Sequence, residues 1–129
     1  MLVVAAALVD RDGRVLLQQR AAGRQMGGLW EFPGGKVEPD ERPEEALIRE
    51  LKEELGIETD LACLAPATFA SAPIENKHLL LLLYVCRKWR GTPRALDATA
   101  LKWVRPQQMF ALDMPPADKP LIGILDSLI

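Results

Sequence analysis

The chain opens on an unbroken apolar run, Met1 to Val9, crosses the polar tetrad Asp10-Arg11-Asp12-Gly13, and turns apolar again at Val15 to Leu17 before Gln18 and Gln19. Short apolar runs bounded by turn residues predict buried strands, here Leu2 to Val9 and Val15 to Gln19, joined as a hairpin or a close relative of one. A Gly-rich loop follows. From Pro43 to Leu55 the period changes to that of a helix, with Leu47, Leu51 and Leu55 at i, i+4, i+8 and Ile48 beside them; Gly56 is the expected stop. Two further strands are predicted in Asp60–Pro73 and His78–Trp89, around a loop at Pro73 to Lys77, and a short one at Ala100–Val104. The last segment predicts a helix starting at Asp118, with Pro120 in its first turn. Strands, helix, strands, helix make an α/β layered domain.

With 129 residues, 49% hydrophobic and 26% charged, the chain fits one domain, 1–129, around one core. A net charge of −2 gives no broad basic face for nucleic acid or membrane, so a small-molecule partner is expected, with no stable nucleic-acid or membrane partner. The apolar opening lacks a basic leader and runs straight into turn chemistry, which reads as a strand rather than an export signal. His78 to Cys86 falls far short of the roughly 20 residues that cross a bilayer. Cys63 and Cys86 have no CxxC spacing, and the expectation is two reduced thiols in a cytoplasmic protein.

Charge alters this picture at one place. Phe32 to Ile57 carries eight acidic residues against four basic ones, while the rest of the chain is net positive. On a helix, Glu50, Glu53 and Glu54 fall on one arc, beside the arc of Leu47, Ile48, Leu51 and Leu55 that must face the core. Glu50 forms like-charge pairs with Glu53 and Glu54 at i, i+3 and i, i+4, each unfavourable by roughly 0.2–0.5 kcal/mol in an isolated helix. A solvated charged face, helped by a Glu45–Arg49 pair, is one reading. Clustered hard oxygen ligands for Mg²⁺ or Mn²⁺ are the other, with no His or Cys cluster to favour a softer metal.

Gly35, five residues, Glu41, seven residues, then Arg49-Glu50-Leu51-x-Glu53-Glu54-x-Gly56-Ile57 matches every specified position of the signature of the Nudix hydrolases. With "EFPGGK" before it and "PPAD-x-P" near the end, the chain resembles the MutT-like branch along its whole length. The resemblance implies a Nudix fold, a mixed β-sheet sandwiched between helices (α/β/α), with the signature box at 35–57. It implies a Mg²⁺-dependent enzyme, Mn²⁺ being possible, in which Glu50, Glu53 and Glu54 with the carbonyl of Gly34 hold divalent cations that bind a nucleotide polyphosphate. Attack by water would release a nucleoside monophosphate and pyrophosphate. Glu50, steered by Arg49, is cast as the general base, with Glu53 second; Glu41 anchors the loop to the helix.

By the same resemblance Arg20, Phe32, Lys36 and Asp118 line up with substrate-contacting positions, and Asp97 with an acidic metal ligand in the late loop. Asp118 stands where the 8-oxo-dGTP enzyme has asparagine. Ionised, it only accepts hydrogen bonds and suits the exocyclic amine of cytosine; protonated, it could donate to a guanine O6, which needs a pKa about 3 units above its reference. It could also serve only as the N-cap of the last helix. The expected function is therefore hydrolysis of 8-oxo-dGTP in nucleotide-pool sanitation, serving DNA replication and repair. CTP or dCTP hydrolysis is the alternative, and ADP-ribose hydrolysis or a non-catalytic nucleotide-binding module stand further off. Monomer and homodimer are both open.

Overall fold

The computed structural model describes residues 1–129. Strand β1 (Leu2–Leu8) lies inside the molecule because both of its faces are apolar. Val4, Ala6 and Leu8 face helix α1 (Pro43–Leu55), among Ala46, Leu47, Leu51 and Leu55. Ala5 and Ala7 face the other way, with Leu121, Ile122 and Leu125 of the C-terminal helix, Lys119–Leu128. A strand sandwiched between helices reads as a continuous apolar run rather than an alternating one.

Strand β2 (Val15–Gln19) pairs antiparallel with β3 (Trp30–Glu31), and β4 (Gly34–Lys36) pairs antiparallel with β1. Strands β5 (Leu64–Ile74) and β6 (Lys77–Cys86) form a long hairpin closed at Glu75 and Asn76, where Glu75 takes φ 53°. β6 runs parallel to β1 with Leu2 opposite Leu80 and Leu8 opposite Cys86, so its leucines must serve both layers: Leu79, Leu81 and Leu83 face one core, Tyr84 and Cys86 the other. Strand β7 (Ala100–Val104) completes a three-stranded sheet, β3-β2-β7, beside the four-stranded sheet β4-β1-β6-β5. Helix α2 (Pro106–Met109) and helix α3 (Lys119–Leu128) close one layer.

β1 and β2 form the close relative of a hairpin rather than a full one: they meet at an isolated antiparallel Val9–Val15 bridge, with the Asp10 N–H donating to the Arg14 carbonyl at 2.9 Å, and then part into different sheets. Asp10 organises the turn by accepting from the backbone N–H groups of Asp12 and Arg14 and from the Arg14 guanidinium. The divergence opens a cleft between the two sheets. Helix α1 behaves as its pattern predicts, with Pro43 in its first turn and Gly56 at φ 71° ending it. Glu45, however, reaches back to the Arg42 backbone N–H at 2.8 Å instead of pairing with Arg49. Cys63 and Cys86 are free thiols. No helix is long and apolar enough to cross a membrane.

Candidate active site

A cavity of about 910 Å³ occupies the cleft where the sheets part. Its acidic wall comes from α1, whose last turns carry Glu50, Glu53 and Glu54 toward the cavity while Leu51 and Leu55 are wholly buried behind them. β4 crosses this helix so closely that a Cβ at Gly35 would stand 2.5 Å from the Glu50 carboxyl carbon. The two glycines of Phe32-Pro33-Gly34-Gly35 thus permit backbone and carboxylates to meet.

Each box carboxylate is held differently. Arg49 donates through Nη1 to Glu50 at 2.9 Å and to Glu53 at 3.4 Å, and through Nε and Nη2 to both oxygens of Glu41 at 2.8 and 3.0 Å. Nη2 also reaches the Lys36 carbonyl, so one guanidinium ties the glycine-rich segment, the loop before α1 and the helix together. Glu41 further accepts from the Glu38 backbone N–H, in keeping with an anchoring role. Glu54 lies deeper: one oxygen accepts from the Gly34 N–H at 3.0 Å and the other from Gln18 Nε2 at 2.6 Å. Burial pushes its pKa up to about 8 against these two hydrogen bonds. Burial also raises Glu50, opposed by Arg49. The carboxylates do not converge on a preformed cage in this arrangement.

The other sequence-derived residues gather around the same cavity. Phe32 is 4% exposed and belongs to the core, and it also lines the cavity. Asp118 precedes α3, yet its side chain makes no cap hydrogen bond; it turns inward, 7% exposed, and Oδ2 accepts from the Phe32 N–H at 3.2 Å. The capping reading is therefore overturned. Desolvation pushes Asp118 up to about 7, with Glu31 adding to the rise and the Phe32 hydrogen bond opposing it. Arg20 donates to Glu31 at 2.9 Å and to the Gln25 carbonyl. Lys36 is exposed at the cavity edge. Both oxygens of Asp97 are taken by Arg24, at 3.0 and 3.1 Å, which clasps the loop after β2 to the loop before β7. Trp89 stacks on Trp103, and Lys102 lies over Trp30, so the tryptophans act in packing.

Gln18 and Glu31 escaped the sequence reading. They are cross-strand partners on β2 and β3, and burial raises the Glu31 carboxyl in opposition to Arg20. The available signal was a polar side chain two residues after Leu16, on a strand face otherwise committed to the core.

The model of the NUDIX domain family matches residues 1–123. The chain belongs to this family. As a Nudix hydrolase it is similar to the CTP pyrophosphohydrolase of Escherichia coli (strain K12), 40% identical over 122 residues that cover 95% of this chain and 89% of the relative. The 8-oxo-dGTP diphosphatase of the same organism is 33% identical over 119 residues, 92% and 91% of the two chains. Among solved structures, that of the E. coli ORF135 protein superposes with a TM-score of 0.86 at 39% identity, covering 98% of this Nudix chain and 89% of the other. A MutT structure from work on Aliivibrio salmonicida and Vibrio cholerae gives 0.81 at 26%, covering 98% and 97%. Nudix hydrolases generally use a divalent metal. The donor set here fits one: hard carboxylate oxygens, a glycine segment that leaves room beside Glu50, and an unpaired buried oxygen on Gln18.

Proposed function

We propose that the protein is a MutT-like nucleoside triphosphate pyrophosphohydrolase that acts on 8-oxo-dGTP and so cleans the nucleotide pool, as one cytoplasmic domain over 1–129, monomeric or homodimeric. The observation that carries this reading is the pair of N–H groups on one short segment: that of Phe32 meets Asp118, and that of Gly34 meets Glu54. Pro33 between them has none. Two residues of extended chain span roughly 6.5 Å, so groups able to read a base and groups able to handle phosphates are set a fixed step apart.

Glu50, Glu53 and Glu54 with the Gly34 carbonyl would hold Mg²⁺ or Mn²⁺, joined by Asp97 once Arg24 releases it. When bound, the divalent cation neutralises phosphate charge and assists water in attacking phosphorus. Glu50 accepts the proton of the attacking water, its basicity favoured by burial and its orientation fixed by Arg49. The new bond from water to phosphorus replaces the bridging P–O bond, giving the nucleoside monophosphate and pyrophosphate. Arg20 and Lys36 supply positive charge for the substrate, and Phe32 offers a ring beside the base.

A carboxyl poised near pH 7 can keep its proton and donate to a purine O6, which supports a guanine nucleotide, and the relative named for 8-oxo-dGTP favours the oxidised one. A second reading, CTP or dCTP, is favoured by the Phe32 N–H, which stabilises the ionised acceptor form, and by the 40% identical relative named for CTP. The test is kcat/KM for 8-oxo-dGTP, dGTP, CTP, dCTP and ADP-ribose with Mg²⁺ between pH 6 and 8. The purine reading expects 8-oxo-dGTP to lead and its ratio to CTP to fall as pH rises through about 7. CTP in the lead, with the cytosine rates rising as Asp118 ionises, would replace the first reading by the second.

A further inference from the structure

Gln18 ends the row that Leu16 begins on the α1-facing side of β2, and it is 2% exposed. Its Nε2 donates to Glu54 at 2.6 Å, while Gly34 N–H holds the other Glu54 oxygen at 3.0 Å. Each oxygen of that carboxylate thereby has one donor from the protein. The Gln18 Oε1 is different: it is the one buried side-chain nitrogen or oxygen that has no hydrogen-bond partner. Buried polar groups are paired almost without exception, and an orphan in a cavity wall calls for a donor from outside the chain.

A leucine at this position would extend the apolar row but strip Glu54 of a donor, so Glu54 accounts for the N–H of the carboxamide and leaves its oxygen without a reason. Only an acceptor is left free, on the same carboxamide that grips Glu54. Mg²⁺ sheds its water reluctantly and usually keeps several molecules when carboxylates bind it. Water on a cation is a strong donor. We propose that Gln18 is a positioning residue of the cation site: its N–H sets Glu54, and its free Oε1 accepts a hydrogen bond from the hydration shell of the divalent cation that Glu54 binds. The inference rests on Glu54 being a cation ligand, as in the proposed function.

Partners of this outer kind change metal affinity by about 10- to 100-fold when removed. The experiment titrates Mn²⁺ into the full-length protein without nucleotide, counting free Mn²⁺ by electron paramagnetic resonance, for the parent, Gln18→Leu and Gln18→Met. Thermal melts in EDTA check the fold. Each variant removes both the N–H on Glu54 and the free oxygen, and each should bind Mn²⁺ at least about tenfold more weakly. Binding by a folded variant within about twofold of the parent, with only nucleotide KM changed, would overturn the inference, because it would assign the orphan oxygen to the substrate. Gln18→Met keeps the length of the side chain and would decide the matter even if Gln18→Leu failed to fold. A parent that binds no Mn²⁺ would instead defeat the cation reading itself.

Discussion

The carboxyl of Asp118 is asked to be buried, to accept from Phe32 and to face a cavity at once. Its pKa rises from 3.8 to about 7 because desolvation outweighs the single amide. Between those values the folded chain holds a proton that the unfolded chain has lost, so unfolding releases it. Stability from this residue is therefore complete below about pH 4 and falls as pH rises toward 7, by about 4 kcal/mol for three pKa units. Asp118→Asn removes that loss while keeping an acceptor for the Phe32 N–H. Urea unfolding at pH 4, 5.5 and 8 should show parent and variant nearly equal at the lowest pH and the variant ahead at the highest. Parallel curves would mean that the carboxylate is solvated when ionised.

At the scale of elements, α1 and β4 determine where the chemistry can happen, and their two glycines fail differently when filled. At Gly34 an added Cβ would lie 2.0 Å from the Val4 carbonyl oxygen, which is backbone and cannot yield without breaking the pairing of β4 with β1. At Gly35 the obstacle is the tip of Glu50, 2.5 Å away, and a side chain can turn aside. Gly35→Ala should thus keep a melting temperature within a few degrees of the parent, yet misplace Glu50 and lower kcat by about 100-fold, the usual penalty for an error near 1 Å. Gly34→Ala should lose stability outright. Thermal melts and kcat, measured together, separate the two. Helix α1 was legible in the sequence because a leucine period, a proline start and a glycine stop agree, and the box glutamates inherit their places from it. The parting of β1 and β2 was not legible. Both strands are apolar on both faces, so alternation could not tell which sheet each joins, and a good turn between them spoke for a hairpin. Asp118 was legible as a residue that matters but not as one that abandons its helix end, since that depends on the Phe32 N–H brought 86 positions across the fold.

Taken whole, the molecule is two sheets that share a core on either side of β1 and separate at one end, and the acidic residues raised by burial, Glu31, Glu50, Glu54 and Asp118, all line the resulting cavity. Such a site costs stability as long as its carboxyls are desolvated without a cation or a ligand donor to answer them. A ligand that binds only the folded form returns free energy in proportion to RT ln(1 + [L]/Kd), about 2.7 kcal/mol at a hundred times Kd. For a chain of 129 residues this corresponds to a rise in Tm on the order of 10 °C. Saturating Mn²⁺ with a nonhydrolysable nucleoside triphosphate should produce it, and EDTA should reverse it. The same addition to a Glu50→Gln, Glu54→Gln double variant should leave Tm nearly unmoved, while above about pH 8, where Glu54 has given up its proton, that variant alone should melt higher than the ligand-free parent. A double variant that still gains the full rise would place the cation elsewhere, and one that melts below the parent would show that these carboxyls stabilise the empty fold rather than burden it.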